Sequence, residues 1–558
     1  MSSDNFYYQF FNIRQSYPHQ QATWEAVNST KFPLLIKAPS GSGKTEAILA
    51  PFLSQFISNQ FDIAPRLIYV LPMRVLVNSV AERIEKYAKR ISQSISVKVH
   101  HGDVPNSPFF IADIVVTTLD QFLYGFARAS SQVGKHIDMP AGSIASSMIV
   151  FDEAHMYRDE FTFSIMRAIL EILYQSRIPF VVMTATMPES LEKSLFENIK
   201  DYHQISGNDV IQSTLTINMP DTPLYSSGQV NIPDDVLEKV KTKKTLIVLN
   251  QVKRAQRVYE EIKQRLDLSD EQIVLLHSRF TKKDRQQHEK KALSLIPNKV
   301  DGTMRIPDNI GVVISTQVLE AGIDFSAELL LTELAPADCL VQRAGRCARY
   351  EGEKGEMIIF PVENEKGYLP YKKEHLSKTL AWLQSHPDFN IKNFNEVCSF
   401  VSQTLDYQAN DYEARDTLID LYECVLYADS EPRNIQLRDG KSATIVVLDI
   451  PESGKGKIED KIKAYVLNNP SLLKDNFINV DIGIVWALFN DGNRPIQWEI
   501  QWRYNEKKEK EIFIFNLIKG KKKPDEKDSR IDPFRTYIID SKYYKQDKGI
   551  YPDVSFII

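Results

Sequence analysis

The sequence predicts an α/β protein in which two tandem doubly wound domains are followed by a helical segment and a small strand-rich domain. Short β-branched runs alternate with helical patterns twice over, the rhythm of mostly parallel sheets. A glycine-rich loop, Ala38 to Thr45, joins a strand pattern to a helix pattern in the first repeat. The run Ile149-Val150-Phe151 ends in Asp152-Glu153-Ala154-His155, and the carboxyl ends of strands are where open α/β sheets bind ligands. The boundaries drawn from the pattern are 1–212, 213–362, 363–432 and 433–558.

The chain has 558 residues, enough for about three or four domains of ordinary size. A 43% hydrophobic and 25% charged composition is that of a soluble globular protein. Net charge is −5, so a nucleic acid would have to meet a local basic groove rather than a global field. Cys339, Cys347, Cys398 and Cys424 show no CxxC spacing, which argues against a zinc site or a disulfide framework. No apolar run approaches a membrane span, and Met1 to Phe6 lacks a basic segment leading into an apolar one. No membrane association and a cytoplasmic location are expected.

In the first repeat, Tyr17-Pro18-His19-Gln20-Gln21 opens a helical stretch through Trp24 and Val27. The Gln20 amide has the paired donor and acceptor that an adenine edge requires, although Pro followed by Gln is also a common helix start. Pro33 to Lys37 then leads into Ala38-Pro39-Ser40-Gly41-Ser42-Gly43-Lys44-Thr45 and the helical Glu46 to Leu49. Strand, loop and helix are the context in which such a loop cradles phosphates, with backbone N–H groups and the helix N-terminus facing the anion. Lys44 would reach the β- and γ-phosphates and Thr45 would coordinate magnesium. Ala38 stands where the strict pattern has its first glycine, and the competing reading is an ordinary glycine-rich turn. Further strands follow at Leu67–Pro72, Asp113–Thr118, Ile149–Phe151 and Phe180–Thr186. Arg74 and Thr118, at strand ends, are types that hold a nucleic-acid backbone. Each alone is more often a surface charge or a helix cap, and their recurrence at equivalent positions shifts the balance toward a contact. Asp152 would help to hold the metal, Glu153 would polarise the attacking water, and His155 would link the site to its surroundings. For the tetrapeptide taken alone, a solvated acidic turn competes.

The second repeat has strand patterns at Thr245–Asn250, Gln272–Ser278, Asn309–Gln317, Glu328–Glu333 and Met357–Phe360, and no second phosphate loop. It carries instead Gln342-Arg343-Ala344-Gly345-Arg346-Cys347-Ala348-Arg349, read as three arginines on one short helical segment, with Arg346 and Arg349 on a shared face. Guanidinium forks suit transition-state phosphate charge; a solvated or nucleic-acid-binding basic face is the alternative. A phosphate loop in one domain and arginines in the next describe a motor with ATP in the cleft between them, where hydrolysis depends on closure.

The series Ala38 to Thr45, Asp152 to His155, Thr184-Ala185-Thr186, Thr316 to Asp324 and Gln342 to Arg349 resembles superfamily 2 helicases over roughly residues 14–362. Leu249 to Gln256, Leu276-His277-Ser278-Arg279-Phe280, Thr316 to Asp324 and Leu334 to Asp338 look more narrowly like the helicase of type I CRISPR interference. The resemblance implies two RecA-like domains and an ATP- and Mg²⁺-dependent translocase. It would move 3′ to 5′ on single-stranded DNA displaced by an RNA-guided CRISPR surveillance complex. By motif, Gln20 would read adenine. Ser40, Gly41, Ser42, Gly43, Lys44 and Thr45 would bind phosphate, and Thr45 and Asp152 would hold the metal. Gly322 and Asp324 would border the ribose, and Gln342, Arg346 and Arg349 would face the γ-phosphate. His155, Thr184 and Thr186 would couple hydrolysis to movement, and Arg74, Thr118, Asn250 and Thr316 would contact nucleic acid. Many members of that family begin with a nuclease domain marked by a His-Asp pair, and no His-Asp dipeptide occurs here. A stand-alone helicase with a separate HD nuclease subunit is therefore expected. Thr184 replaces the usual serine and keeps its hydroxyl.

Beyond the polar linker Pro361 to Gly367, the pattern is helical from about Tyr371 to Tyr427. It is strand-rich after Pro432, at Thr444–Leu448, Ile482–Leu488, Glu511–Phe515 and Thr536–Ile539. The lysine runs at 506–511 and 519–523 suit either phosphate contacts or solvated hairpin loops. Two other functions stay open: an RNA-remodelling DEAH helicase, and a nucleotide-gated DNA clamp that recruits a nuclease without travelling.

Overall fold

The computed structural model describes the chain except for residues 1, 40, 102–103, 158–159, 208–212, 301–302, 309, 320–324, 364–366, 406–414, 421–422, 424–441, 450–457, 469–474, 491–495, 506–509, 518–530, 532–534 and 552–558. The architecture is mixed α/β: two RecA-like parallel sheets, helices, and a strand-rich C-terminal sheet.

The first sheet contains β1 (Leu34–Lys37), β2 (Arg66–Leu71), β3 (Val97–His101), β4 (Val104–Pro105), β5 (Ile114–Thr118), β6 (Ser147–Phe151), β7 (Phe180–Thr184) and β8 (His203–Ser206). Its spatial order is β4-β3-β5-β2-β6-β7-β1-β8, parallel throughout except where β4 turns back on β3. Leu67, Ile68, Tyr69, Val70, Ile149, Val150 and Phe151 are fully buried, because helices cover both faces and each strand must be apolar on both sides. One face packs on the cluster holding Phe122, Phe151 and Phe180. The other packs on the cluster holding Tyr7, Phe52 and Tyr69. Since β1, β2, β5, β6 and β7 all run the same way, their carboxyl ends line one edge, and that edge carries the candidate site.

The second sheet, β9 (Thr214–Asn218), β10 (Thr245–Val248), β11 (Ile273–Leu276), β12 (Val312–Ser315), β13 (Leu329–Glu333) and β14 (Lys354–Phe360), has the order β11-β12-β10-β13-β14-β9. All its pairings are parallel. Helices Lys373–Ser385 and Phe394–Thr404 follow. They bury Leu376, Leu383, Phe400 and Val401 in the core of this second sheet, so the helical segment is part of that body rather than a free linker.

The C-terminal sheet joins β15 (Ser442–Leu448), β16 (Phe477–Asp481), β17 (Ile496–Asn505), β18 (Lys510–Leu517) and β19 (Thr536–Asp540) in the order β16-β15-β19-β17-β18. One expected strand is wrong: Ile482–Asn490 is a helix. Its run of apolar residues has no period of two or of 3.6 to separate the choices. Asp481 starts the helix by accepting from the Gly483 N–H at 2.8 Å. Ile484, Val485 and Leu488 then face the sheet. A last hairpin, β20 (Tyr544–Lys545) and β21 (Gly549–Ile550), returns to the second body. There His277 Nε2 lies 3.0 Å from the Lys548 carbonyl, and the Ile550 N–H donates to Arg279 O. The lysine runs fall largely outside the described residues. Among the described residues no helix is long and apolar enough to cross a membrane.

Candidate nucleotide site

The site begins where β1 ends. Gly41 and Gly43 take left-handed φ values of 82° and 80°, a conformation glycine adopts without penalty. A Cβ on Gly43 would lie 2.4 Å from Gln20 Nε2. The Gln20 amide is the reason for the crowding: its oxygen accepts from the Tyr17 N–H at 2.9 Å, and its nitrogen donates to Gly43 O at 3.2 Å. Gln20 therefore caps its own helix and braces the loop, a structural duty that the sequence expectation of adenine reading did not include. Lys44 Nζ donates to the Ala38 and Pro39 carbonyls at 2.8 and 3.1 Å. Ser42 Oγ is buried without a hydrogen-bond partner among the described residues.

Thr45, in the first turn of the Lys44–Ser58 helix, and Asp152, just past β6, converge on one phenol. The Tyr69 hydroxyl donates to Asp152 Oδ2 at 2.6 Å and lies 3.3 Å from Thr45 Oγ1. Arg83 Nη2 donates to Thr45 Oγ1 at 2.6 Å. Tyr69 and Arg83 were missed from sequence. A tyrosine inside an apolar strand looks like core, and nothing in the spacing of Arg83 separates it from a surface cation on a long helix.

Glu153 sits in the left-handed region at φ 53°, a strained conformation that costs roughly 1–3 kcal/mol and is characteristic of functional turns. The turn is closed by the Glu153 N–H donating to Asp152 Oδ1 at 2.8 Å. Burial, and then the adjacent Glu153 charge, raise the Asp152 carboxyl above its ordinary range. Burial acts on Glu153 in the same direction. His155, Lys44, Arg346 and Arg349 outweigh it, so that carboxyl is held below its ordinary value. Arginines of the second body thus act electrostatically on the acid of the first. His155 Nδ1 lies 3.0 Å from Thr184 Oγ1, and the Thr186 N–H donates to the same oxygen at 3.2 Å.

The arginine segment is built differently from the expectation. The helix spans Ala337–Ala344, so only Arg343 of the three lies on it. Arg343 is spent inside the protein, donating to Thr332 Oγ1 at 2.8 Å and Asn250 Oδ1 at 3.1 Å. Arg346 and Arg349 lie beyond the helix in a loop whose Ala348 has φ 45°. Arg346 Nε donates to Leu319 O at 3.3 Å. Gln342 Oε1 is buried with no partner among the described residues.

Three of the expected nucleic-acid contacts are buried. Asn250 is buried, its amide donating to Leu334 O at 2.9 Å and accepting from Arg343, which makes it a clamp within the second body. Thr316 and Thr118 are 2% and 3% exposed. Arg74 is exposed at the start of the helix that follows β2. Ser40, Gly322 and Asp324 lie outside the described residues.

The donor set fits a nucleotide with its metal. Thr45 and Asp152 offer the oxygen ligands that a hard cation such as magnesium takes. Lys44, the buried Ser42 hydroxyl and the loop amides suit phosphate oxygens. Among the described residues no group of three or more His, Cys, Asp or Glu is placed to hold a metal ion.

Comparison with known proteins agrees with this geometry. The DEAD/DEAH box helicase family matches residues 17–194. The family described as CRISPR-associated nuclease/helicase Cas3, C-terminal, matches residues 241–352. The chain thus carries a DEAD/DEAH box helicase domain and is an ATP-dependent helicase enzyme. Within that class it resembles the Cas3 helicases. It is 28% identical to the CRISPR-associated helicase Cas3 of Thermoproteus tenax, over 78% of this chain and 75% of that protein. The crystal structure of T. fusca Cas3 superposes with a TM-score of 0.65 at 20% identity, over 86% of this chain and 66% of that one. A chain of a CRISPR RNA-guided surveillance complex, pre-nicking, gives 0.56 at 20% identity, over 83% and 63%. The chain therefore spans just under two-thirds of the length of these solved relatives.

Proposed function

We propose that this protein is a 3′–5′ DNA translocase that acts on the single strand displaced by an RNA-guided CRISPR surveillance complex. The observation that carries the proposal is electrostatic: against its burial, the Glu153 carboxyl of the first body is held below its ordinary value by His155 and Lys44 beside it and by Arg346 and Arg349 of the second body. A base placed between a phosphate loop and cross-cleft arginines works only when the two bodies are together, which ties hydrolysis to domain motion. Lys44 and the loop amides grip the phosphates, and Glu153 orients the attacking water and accepts its proton. Arg346 and Arg349 meet charge developing on the γ-phosphoryl group. Thr45 and Asp152 would hold Mg²⁺, which when bound neutralises phosphate charge. Association with the surveillance complex is supported by the naming of the relatives and by the solved complex that contains a similar chain.

The nuclease belongs to a separate HD subunit in this reading. His100 and His101 are the nearest candidates for a cutting site. His100 is driven down to about 4 by burial and by His101, and His101 Nε2 is engaged with Asn78 at 3.0 Å. The test is degradation of single-stranded DNA with manganese, nickel or cobalt supplied. The purified chain should leave the DNA intact, and adding an HD nuclease subunit with ATP should degrade it. Nuclease activity that follows this chain through purification and vanishes with His101→Ala would overturn the division of labour.

A further inference from the structure

The loop that bears Arg346 and Arg349 is held by a residue outside every helicase motif. Lys392 Nζ donates to the Ala344 carbonyl at 2.8 Å and to the Cys347 carbonyl at 2.6 Å. Ala344 is the last residue of its helix, where carbonyls lack intrahelical partners and the negative end of the dipole attracts a cation. Cys347 lies directly after Arg346. One ammonium therefore ties both ends of the turn that presents the first arginine.

The root of Lys392 is fixed just as firmly. Its N–H donates to Asn390 Oδ1 at 3.0 Å. Asn393, the next residue, caps the Phe394–Thr404 helix by accepting from the Asn395 and Glu396 N–H groups. Phe389 and Ile391 are buried in the core of the second body. The far side of the loop is bridged to Ala327, whose N–H donates to Arg346 O and whose carbonyl accepts from the Ala348 N–H, both at 2.9 Å. Ala348 has a left-handed φ of 45°, and a Cβ on Gly355 would lie 2.9 Å from Cys347 Sγ. The helix that Lys392 precedes also touches the first body, where Ser402 Oγ accepts from the Glu189 N–H at 3.2 Å.

We propose that Lys392 is a positioning residue for hydrolysis: its ammonium fixes the Ala344–Cys347 turn so that Arg346 and Arg349 reach the γ-phosphate when the bodies close. This rests on the arginine assignment made above, which it extends to the helical segment. Binding of ATP, made mainly by the phosphate loop, does not need Lys392; the chemical step does. A displacement of about 1 Å in a catalytic group costs on the order of 10²-fold in rate. An ionisation signature follows as well. Burial brings the Lys392 ammonium down to about 8, with the Cys347 thiol, Arg349 and Glu353 as the ionisable groups around it.

The experiment compares full-length parent, Lys392→Met, Lys392→Arg and Arg346→Ala for DNA-stimulated ATP hydrolysis, with thermal unfolding recorded for each. Lys392→Met should lower kcat by about 10²-fold while KM for ATP stays within about two-fold of the parent. Lys392→Arg, which keeps a cation able to meet both carbonyls, should recover most of the rate. It should also remove the parent's loss of kcat as pH rises through about 8. If Lys392→Met, folded, hydrolyses at the parental rate while Arg346→Ala is impaired, the positioning role is wrong and the arginine assignment stands. If Arg346→Ala itself hydrolyses normally, both fall. Should Lys392→Met fail to fold, Lys392→Arg decides: a parental pH profile in that variant overturns the proposal.

Discussion

His155 Nδ1 lies 3.0 Å from Thr184 Oγ1, and this one contact joins three motifs. Thr184 closes β7, and its carbonyl accepts from the Ala38 N–H at 3.2 Å as the chain enters the phosphate loop. The same hydroxyl receives the Thr186 N–H. By this contact a change at the acids would reach the Thr-Ala-Thr turn through a buried hydroxyl. Thr184→Val should retain ATP binding but lose much of the strand displacement obtained per ATP. Roughly ten-fold is expected, the scale of an unsatisfied buried group costing about 1–2 kcal/mol. Parallel assays of ATP consumed and duplex opened measure that ratio; an unchanged ratio removes Thr184 from the coupling path.

The chemistry makes a sharper pair of predictions. Lys44→Ala should abolish productive ATP binding. Glu153→Gln should bind ATP and stall, because losing a positioned base costs at least ~10²-fold. Binding by a fluorescent nucleotide and turnover by phosphate release separate the two. Near-normal turnover by Glu153→Gln would exclude it as the base.

Much of this site was legible in the sequence because its parts obey local rules. A phosphate loop needs strand, glycines and helix within a few residues, and acids at the end of an apolar strand announce the adjoining element. The contacts that were not legible join residues distant in sequence. Tyr69 meets Thr45 and Asp152 only because β2 lies beside β6, and an apolar strand gives no hint that one phenol is used. Asn250 and Arg343, 93 positions apart, form a buried pair that sequence reading had assigned to nucleic acid and to a basic helix. The Ile482–Asn490 helix was misread because an unbroken apolar run fits a buried strand and a buried helix equally.

The cross-cleft arginine is tested by Arg346→Ala. Nucleotide affinity should be nearly unchanged and hydrolysis reduced by roughly 10³-fold or more, the scale of an arginine finger. A variant that only binds DNA less well, with basal ATPase intact, would return the arginines to the role of a basic surface.

The C-terminal hairpin gives a stability prediction. Gly549 has φ 72°, and a Cβ there would sit 2.4 Å from Arg279 O. Gly549→Ala should therefore destabilise the hairpin's seat by at least ~1–2 kcal/mol. The seat should also respond to acid. Burial, then Arg279, bring His277 down to about 3, so the unfolded chain takes up the proton first. The stabilisation is present above the ordinary histidine range of about 6.5 and is lost as pH falls toward 3, at roughly 1 kcal/mol per pH unit. Thermal unfolding at pH 7 and pH 5 should show a smaller acid-induced drop for His277→Gln than for the parent. An equal drop would place the acid sensitivity elsewhere, with His100 the next group to examine.

The central claim is that ATP hydrolysis at this site drives movement along single-stranded DNA. Its most direct measurement is strand displacement from duplexes carrying a 3′ or a 5′ single-stranded tail, with ATP consumption followed in the same reaction. Opening of the 3′-tailed duplex alone, dependent on ATP and magnesium and absent in Glu153→Gln, is the result predicted. Steady DNA-stimulated ATP consumption with neither duplex opened would contradict it and identify a nucleotide-gated clamp instead.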